Sequence, residues 1–452
     1  MITTIKIDGF KSLSKFELKL KPGLNILVGP NGAGKTNIVM FFEFLSNLMD
    51  GELSEALSKI GGAGSILKKT GEETYQPYMD VNIQGEKQRT KKKKLTYSYD
   101  FRIELSGHNL IYFKHQRFKI VLSSLKEKDK SKNLDPEPSL DIEQSITKEL
   151  KQDIILHKYD RSKFRTYLYP ERISKKNFEK FIKDYLEKFN LLSNSLVTAI
   201  IRILDVPYAF DIRADLRGGE TFNIIPSEVK KPEDVAKAPG IQKDGSGLAA
   251  TLYAMEVGKS RGPFRERLYL PRFLVDRDPS KSIFNPKTLK KVIENVKLAN
   301  NSISNIHVVN EPFSNNLNVK ITIKEEGGKE ATLPLSLMSD GTIKWMTLIT
   351  AILTCRNIFS IEEPENYLHP WMQSEIVKIM RNSIREDSFI LMTTHSESLL
   401  NSAEPEEIIV VSMEDGKTYA KRIKNIKLLR EEISNTGFGL AYFYVSDTIE
   451  SE

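Results

Sequence analysis

A glycine-rich loop that ends in a lysine and a threonine is the clearest chemical feature of this sequence. Residues 29–36 read GPNGAGKT and fit the pattern G-x-x-x-x-G-K-[ST]. Gly29 and Gly34 permit backbone conformations and a close approach that side chains would block, so successive N–H groups can surround phosphate oxygens. In such a loop Lys35 reaches the β- and γ-phosphates of a nucleoside triphosphate, and the Thr36 hydroxyl binds Mg²⁺. The predicted nucleotide-binding residues are Gly29, Pro30, Asn31, Gly32, Ala33, Gly34, Lys35, Thr36 and Asn37.

Two adjacent glutamates and one histidine form the second group of candidates. Glu362 and Glu363 follow one short apolar run, and His395 follows another. We expect Glu362 to support Mg²⁺ through its water shell, and Glu363 to orient or deprotonate the attacking water. If the two runs are neighbouring strands, the His395 imidazole can hydrogen-bond the γ-phosphate and that water. Glu363, His395 and Lys35 are the predicted catalytic residues, and the simpler alternative is a pair of solvated acids after a strand.

Short strands and an apolar helix must position these groups. Residues 2–8 and 15–20 alternate apolar and polar side chains, which predicts half-buried strands. The apolar run 24–28 predicts a buried strand, and the apolar segment 38–49 predicts a helix packed on the sheet. The phosphate loop therefore precedes a helix whose N-terminus favours anions. Further strands are predicted at 96–105, 111–122, 305–309, 317–324, 358–361 and 389–392, and a further helix at 287–298.

The middle of the chain has a different pattern. The charged stretch 126–138 indicates a linker or an exposed excursion. From about 139 to 205 the pattern is polar and helical, and between 177 and 204 leucines and aromatic residues recur every three or four positions. This spacing predicts an amphipathic helix pair, which either packs in the ordinary core or offers a surface to a partner.

Composition limits the class of protein. Of the 452 residues 40% are hydrophobic and 28% are charged, close to globular averages. No run reaches the ~18–20 apolar residues that a membrane span needs. One cysteine, Cys355, leaves no partner for a disulfide inside the chain, and the histidines lack the spacing of a zinc site. We expect a soluble, cytoplasmic protein without a membrane partner.

The net charge of +7 is compatible with nucleic-acid binding but does not require it. A local excess of positive charge lies in residues 87–94, KQRTKKKK, which contain six cations in eight residues. A run of this kind is usually a solvated loop. The alternative is a loop that contacts nucleic-acid phosphates.

The order of the motifs resembles that of ATP-binding-cassette (ABC) ATPases of the RecF/SMC branch, in particular the OLD-like ATPases often found in bacterial anti-phage systems. In this comparison residues 29–36 are the Walker A loop, residues 358–365 are the Walker B strand with the catalytic glutamate, and His395 is the switch histidine. Family members open with a strand and an F-K-S/N segment, which places Lys11 near the nucleotide. The segment KDGSGLAATL at 243–252 is similar to a recurrent segment of this branch.

The resemblance also implies a signature loop. LMSDGTIK at 337–344 precedes the helix that leads to the Walker B strand, and Ser339 and Gly341 provide a hydroxyl and free N–H groups at a helix start. In the family this loop binds the γ-phosphate of ATP held by a second subunit, so a homodimer or higher oligomer would form composite ATP sites. The alternative is an Asp-Gly turn that caps a helix. Gln76 and Gln84 are the candidates for the Q-loop glutamine.

The implied fold is α/β: an ABC-ATPase head with a mixed β-sheet, flanking helices and an antiparallel β lobe, interrupted by a helical insertion. The expected division is one half of the head at 1–125, the insertion as an arm or lid at 126–206, and the other half at 207–452. The 325 residues between Thr36 and the acidic pair exceed what a transporter domain needs, and SMC-type heptads are missing. After His395 57 residues remain, which we expect to be too few for the Toprim nuclease domain of OLD nucleases.

These observations predict a Mg²⁺-dependent ATPase that dimerises on ATP and acts as a sensor or scaffold for a separate effector, a nuclease or toxin, in antiviral defence. DNA is the other candidate partner. Two alternatives stay open. A RecF-like DNA-repair or chromosome ATPase would bind DNA in an ATP-dependent and salt-sensitive way. A structural scaffold would hold ATP with negligible turnover.

Overall fold

The structure is a computed structural model, and it describes residues 1–69, 76–90, 93–106, 110–124, 138–147, 150–160, 165–166, 175–205, 209–218, 220–257, 283–311, 313–325, 327–354, 359–384, 387–446 and 448–449. Within these ranges the chain forms sheets of seven, six, four and two strands, flanked by helices.

Seven strands form the sheet that we call the lobe sheet: β1 (Ile2–Asp8), β2 (Phe16–Lys19), β4 (Tyr78–Thr90), β5 (Lys93–Leu105), β6 (Ile111–Ser124), β7 (Leu140–Ile146) and β8 (Gln152–Tyr159). Their order is β2-β1-β4-β5-β6-β7-β8, and every neighbouring pair is antiparallel. Along β1, Ile5 and Ile7 are buried while Lys6 between them is exposed. The lobe sheet thus covers a core with one face.

Six strands form the core sheet: β3 (Gly23–Val28), β11 (Glu220–Phe222), β16 (Phe359–Glu362), β17 (Phe389–Thr393), β18 (Ile408–Glu414) and β19 (Lys417–Arg422). The order is β11-β16-β17-β3-β18-β19, and all pairs are parallel except β18 with β19. Thr393 at the end of β17 is paired with Glu362 on β16 and with Leu27 on β3. Because the carboxyl ends of parallel strands meet at one edge, the segments after β3, β16 and β17 lie together.

The remaining strands are short or peripheral. A two-stranded ribbon joins β9 (Arg165–Thr166) to β10 (Leu204–Asp205). A small antiparallel sheet contains β12 (Glu233–Asp234), β13 (Ile303–Asn310), β14 (Asn316–Lys324) and β15 (Glu330–Pro334).

The first helices are α1 (Lys35–Asp50), α2 (Leu53–Lys59), α3 (Ala63–Ile66), α4 (Lys175–Lys188), α5 (Leu196–Ile203), α6 (Ala209–Leu216) and α7 (Pro226–Val229). The later helices are α8 (Leu248–Val257), α9 (Pro286–Ala299), α10 (Asp340–Thr354), α11 (Pro370–Ser383), α12 (Glu397–Ser402), α13 (Ile426–Thr436) and α14 (Leu440–Val445).

Strand β3 is buried on both faces, which explains why Asn25 is its one polar residue. Leu27 belongs to the core that α1 shares with the lobe sheet, and Ile26 belongs to the core that α8 and α10 form on the opposite face. In the first core the ring of Phe10 packs edge-on against Phe41, with ring centroids 5.5 Å apart. The strand that carries the phosphate loop is therefore held between two apolar layers.

Most predicted elements near the candidate site are confirmed by the described strands and helices. The prediction fails for the start of the middle segment: Leu140–Ile146 and Gln152–Tyr159 are strands β7 and β8, not helices. Helices α4 and α5 confirm the helical pattern between 177 and 204. Because β7 and β8 extend the lobe sheet, the segment 126–206 is not wholly helical, and its treatment as a separate domain stays a prediction.

The described residues of the lysine-rich run 87–94 lie at the end of β4 and the start of β5, which pair with each other. Lys87 is 3.1 Å from the carboxylate of Asp387, and Lys94 is 2.6 Å from that of Glu86. These two cations therefore pair with acids of the same chain. Lys91 and Lys92 lie outside the described residues, as does Cys355. Among the helices of the described ranges, none combines the length and apolar character required to cross a membrane.

Candidate nucleotide-binding site

The loop 29–36 connects β3 to α1, and its glycines occupy positions where a side chain would not fit. A Cβ on Gly29 would lie 2.1 Å from the carbonyl oxygen of Val411 on β18. Gly34 has a φ of +98°, and a Cβ there would lie 2.0 Å from the hydroxyl of Thr418 on β19. The loop is thus pressed against the neighbouring strands, and helix α1 begins directly after Gly34.

Lys35 is buried and folds back over the loop. Its ammonium group donates to the carbonyl oxygens of Gly29 at 2.7 Å and Pro30 at 3.0 Å. Burial lowers the pKa of Lys35, whereas the charges of Glu363 and Glu365 favour its protonated form. The ammonium thus lies between the phosphate loop and the acidic residues after β16.

Thr36 and Glu362 are neighbours at the end of β16, where the Thr36 hydroxyl acts to lower the pKa of the Glu362 carboxyl. Burial raises the pKa of the Glu362 carboxyl, and the negative charges of Glu43 and Glu363 act in the same direction. The Lys243 ammonium and the Thr36 hydrogen bond oppose this rise. A hydroxyl next to a carboxylate is the oxygen-rich donor set that Mg²⁺ prefers. These two residues therefore fit a magnesium ion bound with a nucleotide.

Glu363 lies in a left-handed backbone conformation, with a φ of +43°. Its backbone N–H donates to Thr393 on β17, to the carbonyl oxygen at 3.1 Å and to the hydroxyl at 3.3 Å. The Glu363 carboxylate lies 3.9 Å from Nε2 of His395 and accepts a hydrogen bond from Asn366 at 3.0 Å. The neighbouring strands β16 and β17 thus bring the predicted water-activating acid and the predicted switch histidine together.

Glu365 is a site residue that the sequence reasoning did not single out. Its Oε1 accepts hydrogen bonds from the Thr394 hydroxyl and from the His395 backbone N–H, both at 2.8 Å. Its buried Oε2 has no hydrogen-bond partner among the described residues. Glu365 therefore fixes the histidine loop to the acidic loop. The signal was present in the sequence, since Glu365 completes the EEPE segment after β16.

The FKS segment lies beside the start of α1. The Ser12 hydroxyl accepts from the Asn37 amide at 2.7 Å and shares a hydrogen bond with the Thr418 hydroxyl at 2.6 Å. Thr418 also donates to the carbonyl oxygen of Ala33 in the phosphate loop at 3.1 Å. Lys11 has a φ of +48°, and its ammonium lies 3.4 Å from the sulfur of Met40 on α1. The predicted contact of Lys11 with the nucleotide stays a prediction.

The predicted signature turn begins α10. Ser339 is exposed, and its hydroxyl accepts from the Thr342 backbone N–H at 3.3 Å, as a helix cap does. Gly341 is close to the acidic loop, because a Cβ there would lie 2.7 Å from the carbonyl oxygen of Tyr367. The described hydrogen bonds of the Ser339 side chain go to Thr342 of its own helix. The binding of this turn to a second subunit's ATP stays a prediction.

A buried lysine connects α10 to the acidic loop. Lys344 is 1% exposed, and its ammonium donates to the backbone carbonyl of Glu363 at 3.2 Å. The same ammonium lies 5.6 Å from the ring centre of Tyr367. Burial lowers the pKa of Lys344 to about 8, although the carboxylates of Glu365 and Glu363 favour the charged form.

The two candidates for the Q-loop glutamine lie elsewhere. Gln84 is within β4 of the lobe sheet and donates to Asn82 at 3.3 Å. Gln76 lies beside Gly9, where its Nε2 is 2.8 Å from the position of a Cβ. In the described contacts neither glutamine touches the phosphate loop or the acidic pair. The strand that flanks β16 on its other side is β11, and it leads to the loop that carries Lys243.

Comparison with known proteins identifies the family. The model of a family described as "AAA domain, putative AbiEii toxin, Type IV TA system" matches residues 24–401. Short alignments link the chain to three curated proteins. The Rad50 DNA double-strand break repair ATPase of Methanopyrus kandleri is 49% identical over 39 residues, 9% of this chain and 4% of that protein. The RecF replication and repair proteins of Corynebacterium jeikeium and Streptomyces avermitilis are 38% identical over 47 residues and 33% identical over 69 residues.

The two RecF alignments cover 10% and 15% of this chain and 11% and 18% of the respective RecF proteins, so the chain matches a small part of each curated relative.

Similar solved structures include a Pyrococcus furiosus SMC head bound to the C-terminal domain of ScpA. This match has a TM-score of 0.46 and 14% identity, and it covers 96% of this chain and 99% of that one. The Thermotoga maritima SMC head matches with a TM-score of 0.40 and 11% identity, and the match covers 94% of this chain and 99% of that one. Because the family model matches residues 24–401, most of the chain, the chain belongs to this family of P-loop ATPase domains.

Proposed function

We propose that the protein binds ATP with Mg²⁺ in the loop 29–36 and hydrolyses the γ-phosphate. The observation that supports this proposal most is the convergence of three segments at one edge of the core sheet. The phosphate loop follows β3, Glu363 follows β16 and His395 follows β17, and these strands are adjacent and parallel. Phosphate binding, water activation and γ-phosphate contact are thus available at one place.

Each of these residues has a distinct task in the proposed reaction. Lys35 binds the β- and γ-phosphates, and its burial limits competition from water. Thr36 and Glu362 would hold Mg²⁺, which supplies charge neutralisation at the phosphates when it is bound. Glu363 orients the attacking water and accepts its proton, and His395 donates a hydrogen bond to the γ-phosphate.

We further propose that two copies enclose the nucleotide, with Ser339 of one copy near the γ-phosphate held by the other. The surface around the signature turn supports this step. Leu337, Tyr367 and Trp371 are 69%, 60% and 48% exposed, respectively, and they flank the turn and the acidic loop. Apolar side chains grouped around a polar binding turn are typical of a surface that a partner covers. A second copy would cover them while completing the site.

The biological role that we propose is control of a separate effector, a nuclease or toxin, in antiviral defence. The family description supports this role, because it refers to a toxin and to a type IV TA system. The short RecF and Rad50 alignments favour a second candidate, an ATPase that acts on DNA during repair. Binding of duplex DNA that requires ATP and weakens steeply with salt would select the repair role over effector control.

Two variants test the proposed reaction. Lys35→Ala should lose ATP binding, because Lys35 is the one lysine of the loop 29–36. Glu363→Gln should still bind ATP, accumulate dimers and lose turnover by roughly 10²–10⁴-fold, the range that general acid–base catalysis contributes. Phosphate release and equilibrium binding of ATP measure the two properties. Lys59→Ala, which alters a surface lysine paired with Glu55, is the matched control.

Wild-type affinity in Lys35→Ala would contradict the assignment of the loop. Unchanged turnover in Glu363→Gln would contradict the role of Glu363. Stable ATP binding by the wild-type protein with negligible turnover would instead identify a nucleotide-stabilised scaffold.

A further inference from the structure

Helix α10 packs against the acidic loop with the face that carries Gly341 and Lys344. These two residues are three positions apart, so they lie on the same side of the helix. A Cβ on Gly341 would lie 2.7 Å from the carbonyl oxygen of Tyr367. The Lys344 ammonium donates to the carbonyl oxygen of Glu363 at 3.2 Å. The first turns of α10, which follow Ser339, are therefore in direct contact with the loop that carries the proposed water-activating acid.

The acidic loop has a backbone conformation that needs support from its surroundings. Glu363 and Tyr367 have φ values of +43° and +69°, in the left-handed region that residues other than glycine rarely adopt. The backbone N–H of Glu363 is held by Thr393 on β17, and its carbonyl oxygen is held by Lys344. That carbonyl also accepts the backbone N–H of Asn366 at 3.3 Å, which closes the turn. Lys344 thus supplies the contact through which α10 holds the backbone of Glu363.

Stability alone does not explain a lysine at position 344, which is 1% exposed. Burial of an ammonium group is unfavourable, and an apolar side chain of similar length would fill the space without that cost. The described contacts of the ammonium are with the acidic loop, namely the Glu363 carbonyl and the Tyr367 ring. A task in the chemistry of this loop is the better explanation.

We propose that Lys344 is a positioning residue that makes water activation by Glu363 depend on the signature turn. By holding the Glu363 carbonyl, Lys344 sets the backbone from which the carboxylate extends. Because Lys344 is within about one helical turn of Gly341, a second copy that binds the Ser339 turn restrains the same end of α10, and through Lys344 the carboxylate. The inference rests on the proposed function and deepens it, since it couples hydrolysis to the closing of the dimer.

The experiment compares ATP turnover with nucleotide binding and dimer formation in the full chain. Lys344→Met removes the donor and keeps a side chain of similar length, and its turnover should fall roughly 10²-fold, the effect of a small misplacement of a reacting group. Its affinity for the fluorescent analogue mant-ATP and its ATP-dependent dimer, measured by sedimentation velocity, should be unchanged. Wild-type turnover per chain should rise with protein concentration as dimers form, whereas that of Lys344→Met should stay low over the same range.

Thr350→Val is the matched control. It removes another buried donor of α10, whose hydroxyl bonds to the carbonyl of Met346 in the same helix, and it should keep wild-type turnover. A double variant tests whether Lys344 acts through Glu363. In the Glu363→Gln background, Lys344→Met should slow single-turnover hydrolysis no further, because residues that act as one unit are not additive.

Three results would overturn the proposal. The first is wild-type turnover in Lys344→Met at every protein concentration. The second is a further loss of hydrolysis in the double variant, which would mean that Lys344 acts elsewhere. The third is a loss of mant-ATP affinity in proportion to turnover, which would indicate a general structural role. Absence of turnover in wild-type protein that binds mant-ATP would instead refute the proposed reaction.

Discussion

Replacement of Lys344 with methionine should stabilise the protein near neutral pH, although the lysine contacts the acidic loop. Lys344 is 1% exposed, and burial lowers its pKa from 10.5 to about 8. At about 1.4 kcal/mol per pKa unit, this lowering corresponds to a cost of about 3 kcal/mol for keeping the buried ammonium charged. Methionine is apolar and similar in length, but it loses the hydrogen bond to the Glu363 carbonyl, worth about 1 kcal/mol. The expected net gain at pH 7 is about 2 kcal/mol.

The gain should depend on pH in a specific direction. Below pH 8 Lys344 is protonated in both the folded and the unfolded chain, so the folded state carries the full cost. Between about pH 8 and 10.5 the folded chain binds fewer protons than the unfolded chain, and the stability of the wild-type protein rises with pH relative to the variant. The advantage of Lys344→Met should therefore shrink from pH 7 to pH 10 and vanish there.

Urea denaturation of both proteins at pH 7 and pH 10 measures this difference. Lys230→Met is the matched control, because Lys230 also contacts α10, at 2.8 Å from Asp340, but lies at the surface. It should change the free energy of unfolding by no more than about 0.5 kcal/mol. A less stable Lys344→Met protein at pH 7 would refute the reasoning, since it would mean that Glu363 and Glu365 need the cation more than burial disfavours it. A gain that is equal at both pH values would refute it as well.

Two further variants test other parts of the site. Glu365→Gln should lower ATP turnover roughly tenfold, equivalent to about 1.4 kcal/mol, and leave ATP affinity unchanged, because the carboxylate that holds the His395 loop loses its charge. Steady-state phosphate release measures the turnover. The control is Glu397→Gln on α12, and equal turnover in the two variants would contradict the prediction. Leu337→Ser should leave the free energy of unfolding within about 0.5 kcal/mol of wild type. In the Glu363→Gln background it should weaken the ATP-dependent dimer, which sedimentation velocity measures. A dimer as stable as that of Glu363→Gln alone would exclude Leu337 from the proposed interface.

The phosphate loop and the strands that carry it could be predicted because their signals are local. The run before the loop is apolar except for Asn25, since β3 is buried on both faces, and the glycines meet steric limits set by Val411 and Thr418. The sequence predicted the strands before Glu362 and His395, and it treated their being neighbours as a condition for the role of His395. The pairing of β16 with β17 confirms this part of the interpretation.

Strands β7 and β8 could not be predicted because the residues that pack against them come from other parts of the chain. In β7, the polar residues Asp141 and Gln144 are buried along with the apolar ones, so the alternation that predicts a strand is lost. Asp141 tolerates burial because Arg117 on β6 donates two hydrogen bonds to it at 2.9 Å. A partner 24 residues away in the chain cannot be read from a local pattern.

The supporting residues of the site were missed for a similar reason. Lys243 meets Glu43 across 200 residues of chain, and Thr418 meets Ala33 across 385. Each of these residues is of an ordinary type at an ordinary spacing, and its relevance comes from the sheet order. The Q-loop candidates Gln76 and Gln84 were chosen by residue type alone, and their described side-chain contacts are with Gly9 and Asn82 and not with the phosphate loop.

The position of β3 between β17 and β18 has a consequence for biosynthesis. The phosphate loop leaves the ribosome long before both strands that flank β3, since these come from residues 389 onward. Until these strands emerge, the loop lacks the residues against which its glycines pack, and we expect the nascent chain to have no affinity for nucleotide. Late completion of this kind would prevent an unfinished chain from capturing ATP, whatever partner the mature molecule controls.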